Sequence, residues 1–590
     1  MTMGLRTFVL AIAILTGHPL WGQQTSGAAS SSLHALFAAA WDYEMKENPT
    51  FASVLGDRRF NDRWPDMSLP AISKRHQHHR KLLGELDFID RTSLSDADRL
   101  NVALFERLYQ ERIEEYPFQW HLLPFNQMEG IQVVHQLVES LRFETERDYT
   151  DWIRRLRTLG TYIDQHIVLM QEGMKVGMMH PRVILERVRD QIDVQLVAEP
   201  TESPFYQPFT SIPDEIDETT KHRLQTAAEL AIRDQVVPGY RRFRDFFVNH
   251  YLPAARESVG ASDLPGGLEL YAVRARHYTT TELTPRQIHE LGKREVERIK
   301  NEMHAVIKEI GFEGTFPEFL EYLRTDPRFY FQDPDELLKE YRDASKRIDP
   351  ELVKLFSKLP RAPYGVKPIP PEISPDNTTA YYSRPAADGS RAGTYFVNLY
   401  RPEVRPKYEI EALTAHEAVP GHHLQIALAM ELGELPNFRR FTGHTAFVEG
   451  WALYAESLGP ELGLYRDPYS RFGQLTYEMW RAVRLVVDTG MHVFGWSRHE
   501  AIDYFRTHAA KTEHDITNEI DRYIAWPGQA LAYKIGELKI KELRSRASSE
   551  LGEKFDIRAF HTAVLEQGAI PLDLLEKNIA AYIASEKATP

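Results

Sequence analysis

The chain has no cysteine in its 590 residues. That excludes thiol nucleophiles, thiolate metal sites, disulfides and acylation of a lipoprotein cysteine together. It also lacks any run of five or more basic residues, and its 71 Lys and Arg are outnumbered by 85 Asp and Glu, a net charge of -14. Nucleic acid and anionic lipid are held mainly by clustered Lys and Arg, so neither is expected as a partner. Long hydrophobic runs are missing as well. The apolar stretch Phe8–Leu15 spans eight residues, about 12 Å as helix against a bilayer core of ~30 Å, too short for a stable membrane anchor.

What is present at the N-terminus reads as an address. Arg6 precedes that apolar stretch, and small Gly22 stands ahead of Gln23-Gln24. Met1–Gly22 is therefore read as a signal peptide and residues 23–32, rich in Ser, Ala and Gly, as a flexible leader. The mature protein is expected to be periplasmic or secreted. With 43% apolar and 26% charged residues, the remainder is globular.

The pattern is mainly α. Thr284-Pro285-Arg286-Gln287 supplies an N-cap, a first-turn Pro and a capping-box Gln, and Gly311 ends the periodic run that follows. Similar periodicity covers 98–115, 150–175, 218–250, 404–432, 446–458, 473–495 and 558–585. One strand stands out, Gly393–Leu399, β-branched and aromatic. As an edge strand it would hold an extended peptide through main-chain hydrogen bonds, which makes Tyr395 and Val397 candidate substrate-binding residues.

The chemistry is concentrated in His416-Glu417-Ala418-Val419-Pro420-Gly421-His422-His423. Two histidines one turn apart bind zinc in the HExxH helix, and the Glu between them activates water. Here the position four after His416 is Pro420, which cannot ligate. On an ideal helix His422 lies about 240° around from His416, and His423 lies on the same face but about 10.5 Å along. Neither can share a zinc with His416 unless the helix deforms. Pro420 lacks an N–H and clashes with the carbonyl of His416, and Gly421 tolerates the backbone that results. His422 is the preferred second ligand and His423 the alternative. The third should be an acid on the next helix. Glu449, beside Gly450, is preferred. Glu456, seven residues on and on the same face, reads as support that orients a histidine through its free nitrogen.

The segments HEAVPGHHLQ, FVEGWALYAE and PGQALAYKIG resemble the bacterial domain-of-unknown-function family 885. That family is regarded as similar to thimet-oligopeptidase and carboxypeptidase-Taq type zinc peptidases. The resemblance is densest over roughly 270–585. It implies a large, helical, two-lobed body with a deep central cleft and a small β-sheet beside the metal helix. The lobes would be 33–268 and 269–590, divided after the Ala261–Gly267 break. It also implies one Zn2+ per chain on His416, His422 and Glu449, with Glu417 as general base. Tyr533, and second Tyr523, would serve the oxyanion. Between these motifs, Arg484 and Asp488 are spaced to pair on one helix face, with His492 following. Arg484 could instead receive a substrate carboxylate, so Arg484 and His492 join the candidate substrate-binding residues.

The expected function is hydrolysis of short or unfolded peptides by metal-activated water. The competing readings are a zinc hydrolase of a non-peptide amide or ester, and a non-catalytic metal-binding exported protein. A structural site needs no general base, so Glu417 favours catalysis.

Overall fold

A computed structural model describes residues 21–371, 374, 378–385, 391–433 and 435–588. Most of the expected signal peptide, Met1–Pro19 and Leu20, lies outside them. The chain is mainly α with a single three-stranded sheet among the described residues. No helix described is long and apolar enough to cross a membrane.

The helices that matter for the site are α1 (Trp21–Glu47), α2 (Glu146–Val176), α3 (Gly267–Thr279), α4 (Pro285–Ile310), α5 (Ile410–Glu417), α6 (His422–Glu431), α7 (Thr445–Ser457), α8 (Pro468–Val493), α9 (Glu513–Ala525) and α10 (Ala532–Leu551). Residues 23–32, read from composition as a flexible leader, belong to α1. Ser30 Oγ donates to Asp98 at 2.7 Å, and Leu33, just beyond the segment, is fully buried. The capping box at Thr284 and Gln287 forms as read, and α4 ends at Gly311 with φ 77°. The periodic segment 404–432 is interrupted where Pro420 and Gly421 stand: the chain breaks between α5 and α6.

Two of the apolar cores draw on the N-terminal part of the chain. Leu33, Phe37 and Phe105 pack in one core with Phe447, Trp451 and Leu575. A separate core gathers residues from Phe125 to Ala255, including Trp152 and Leu156 of α2 and Tyr240, together with Trp64.

The sheet comprises β1 (Tyr364–Pro368), β2 (Ala380–Ser383) and β3 (Gly393–Val397) in the order β1-β3-β2. β1 runs parallel to β3 with Tyr364 opposite Gly393, and β2 antiparallel with Ala380 opposite Val397. The strand Gly393–Val397 is therefore central, not an edge, and both of its ladders are occupied. Tyr395 and Val397 are fully buried in a core with Tyr341, Leu413 and Tyr477, so neither can hold a substrate. Alternation alone could not tell a central strand from an edge, because both bury one face.

Helices α7 and α10 come into backbone contact at Gly450 and Gly536. A Cβ on Gly450 would stand 2.5 Å from Gly536 Cα, and one on Gly536 would fall on the carbonyl oxygen of Ala446. Gly450 thus admits a neighbouring helix. Gly536→Ala is expected to cost about 3 kcal/mol, the upper part of the usual range for overpacking, read as a lowered melting temperature by calorimetry.

Candidate metal centre

The break after α5 builds the site. Pro420 has no N–H to give the carbonyl of His416, so the helix cannot continue. The Ala418 N–H still bonds Thr414 O at 2.9 Å, and the His423 N–H returns to Ala418 O at 3.0 Å, which starts α6. The Val419–Pro420 peptide is cis. Gly421 lies directly on the carbonyls of Ala415 and His416, where any Cβ would collide. Trp451 of α7 donates its indole N–H to Pro420 O at 2.8 Å, locking the turn to the helix that carries Glu449.

His416, His422 and Glu449 converge as read. One ligand atom from each lies within 4.8 Å of the others. Nε2 of His416 and Nε2 of His422 are each 3.6 Å from Glu449 Oε2. Donors at ~2.1 Å from a tetrahedral ion stand about 3.4 Å apart, so the spacing fits a zinc-sized cation. Glu456 Oε1 accepts from His416 Nδ1 at 2.8 Å, which leaves Nε2 as the free donor of that ring. Nδ1 of His422 is buried without a partner. His423 is excluded as a ligand, because Nδ1 meets the Tyr382 hydroxyl at 2.8 Å and Nε2 meets Ala362 O at 3.1 Å.

The electrostatics also ask for a cation. Burial opposes charge on His416, but the carboxylates of Glu449 and Glu456 and the charge of Glu417 outweigh it and hold the imidazole up at about 9. Burial likewise opposes charge on Glu449, yet His416 and His422 hold its carboxyl well below the usual range.

Glu417, the three donors, Arg484 and Tyr533 all line one cavity of about 1560 Å³. It exceeds the ~300–1,000 Å³ typical of small-molecule sites. Residues between 127 and 195 also line it, as does β2, an edge strand.

Other candidates fall elsewhere. Tyr523 does not line the cavity. Its hydroxyl accepts from Arg484 Nε at 2.7 Å and Trp480 Nε1 at 3.1 Å and donates to Glu519 at 2.6 Å, so it has no proton left for an oxyanion. Tyr533 keeps its place: Arg522 reaches its hydroxyl at 3.3 Å and the Arg484 guanidinium lies 4.3 Å from its ring centre. Arg484 does not pair with Asp488. It bonds Glu519 at 3.0 Å, and Arg522 and Arg484 hold that carboxyl down to about 2 against its burial. Asp488 faces Tyr271 and the Gly528 N–H, and burial pushes it up to about 7. His492 is not at the cavity. It accepts from the Ala261 N–H at 2.9 Å, and its Nε2 meets Tyr523 O at 3.0 Å. Burial pushes it down to about 3, which makes it a neutral strut between segments. Sequence reasoning passed over Arg481 and Lys511, which do line the cavity. Arg481 stands three residues before Arg484, so the i,i+3 spacing on one helix was the available signal.

Two substitutions separate the ligand assignments. His422→Ala is expected to abolish binding of one zinc per chain, and His423→Ala to leave it intact, read by metal analysis after dialysis. Glu456→Gln should weaken zinc affinity about 10–100-fold in chelator competition.

The comparisons agree with the fold. The family described as "Bacterial protein of unknown function" (DUF885) matches residues 49–579. A crystal structure of a candidate lipoprotein from Colwellia psychrerythraea is similar at 30% identity and TM-score 0.88, covering 94% of this chain and 99% of its own. A candidate lipoprotein of unknown function from Shewanella oneidensis is similar in fold at 17% identity and TM-score 0.70, covering 95% and 99%. No curated protein matches. With its match running nearly end to end, the chain belongs to the DUF885 family of bacterial proteins.

Proposed function

We propose that the protein is a zinc-dependent peptidase acting on short or unfolded peptides. The observation that carries this reading is the His416–His422–Glu449 cluster with Glu417 beside it on the wall of a large cavity. A zinc ion bound there would supply Lewis acidity to a scissile carbonyl and acidify water. Glu417 takes the proton from that water and later delivers it to the leaving amine. Tyr533 donates from its hydroxyl to the developing oxyanion, a contribution of about 3 kcal/mol in comparable sites. The edge strand β2 aligns an extended peptide along the cavity. Export fits the two solved relatives, both described as candidate lipoproteins. This chain has no cysteine to acylate.

The test is hydrolysis of a mixed peptide library by the zinc-loaded protein, read by mass spectrometry. Cleavage should disappear with chelator. Glu417→Gln should lower turnover about 10²–10⁴-fold with zinc content unchanged. Cleavage that survives Glu417→Gln would sink the general-base assignment. A zinc-loaded preparation that cleaves no peptide would move the reading to a non-peptide amide or ester.

A further inference from the structure

Several arginines on the cavity wall have no role in the chemistry above, and Arg481 is a buried one with no carboxylate closer than 3.8 Å. Arg481 is 5% exposed and lines the cavity. Its Nη1 donates to Tyr477 O at 3.2 Å, while its Nε is buried without a partner. Its guanidinium sits 4.6 and 4.7 Å from the ring centres of Tyr477 and Trp480, which fix its plane. The carboxylate beside it, Glu456, is 3.8 Å away through Oε1, the same oxygen that bonds His416 Nδ1 at 2.8 Å. Three other cations of this wall are matched at closer range. Lys511 bonds Glu409 at 2.6 Å, and Arg484 and Arg522 share Glu519.

A guanidinium has five N–H donors, and burying its charge without a close partner is unfavourable. A cavity that retains such a group is complementary to an anion, and the planar fork matches a carboxylate. We propose that Arg481 receives the C-terminal carboxylate of the substrate, which makes the protein a carboxypeptidase. The assignment rests on the peptidase reading and names its substrate end. A single carboxylate oxygen bridges Arg481 and His416, so the guanidinium lies within about two residues' length of the metal-ligating ring, at ~3.3–3.6 Å per residue. Water adds to the carbonyl carbon, the C–N bond breaks, and one or two residues leave carrying the original carboxylate, their new amine protonated from Glu417.

Binding and cleavage test this separately. The zinc-loaded full chain carrying Glu417→Gln is titrated by calorimetry with an acetylated tetrapeptide acid, its C-terminal amide, and an amide whose penultimate residue is Glu. The acid should bind at least about tenfold tighter than either amide, the scale of a hydrogen bond to a charged group. Adding Arg481→Gln should bring that ratio near one, and Arg481→Lys should leave it intermediate, since Lys keeps the charge without the fork. Equal affinity for acid and amide, equal affinity for the Glu-containing amide, a preference that survives Arg481→Gln, or no binding at all would each overturn the assignment. Should Arg481→Gln not fold, the three peptides on the parent protein still decide it. The wild-type protein is then given the acid. Release of one or two C-terminal residues supports both readings. Tight, Arg481-dependent binding of an acid that is never cleaved leaves the carboxylate site standing and removes the peptidase.

Discussion

Everything at the centre depends on one backbone contact, Gly421 lying against the carbonyls of Ala415 and His416. A continuous helix would carry His422 to the far side of its axis. The stop imposed by Pro420, followed by a residue with no side chain, folds the chain back so that two histidine rings meet at 4.8 Å and nearly at right angles. The rest is arranged around that reversal. The same helix that clamps the turn through Trp451 presents Glu449 two residues earlier and Glu456 five residues later.

Glu449, Glu456 and Glu417 crowd the histidine side and favour positive charge there. Arg481, Arg484, Lys511 and Arg522 occupy the neighbouring surface contributed by α8, α9 and the segment before α9. A substrate polarised the other way, with a carbonyl toward the donors and an anion toward the arginines, is the complementary shape in charge.

Much of this was legible in the residue order. The Pro-Gly pair announced a broken helix, and the histidine–acid spacing yielded His416, His422 and Glu449. The capping box at Thr284 was local and formed as written. What could not be read depended on partners distant in sequence. The strand holding Tyr395 is central because β1 and β2 pair with it from both sides. Arg484 left Asp488, its neighbour on the helix, for Glu519, because a partner brought in by α9 offers a carboxylate and a tyrosine hydroxyl at once. His492 shares a helical face with Arg484, but that face turns from the cavity within two turns. Helical periodicity gives a residue's bearing on its own axis and says nothing of what lies opposite.

The glycine pair between α7 and α10 sets a spacing at the site. At the crossing of Gly450 and Gly536 no side chain stands between the two helices, so the separation of Glu449 on one and Tyr533 on the other is set by backbone contact.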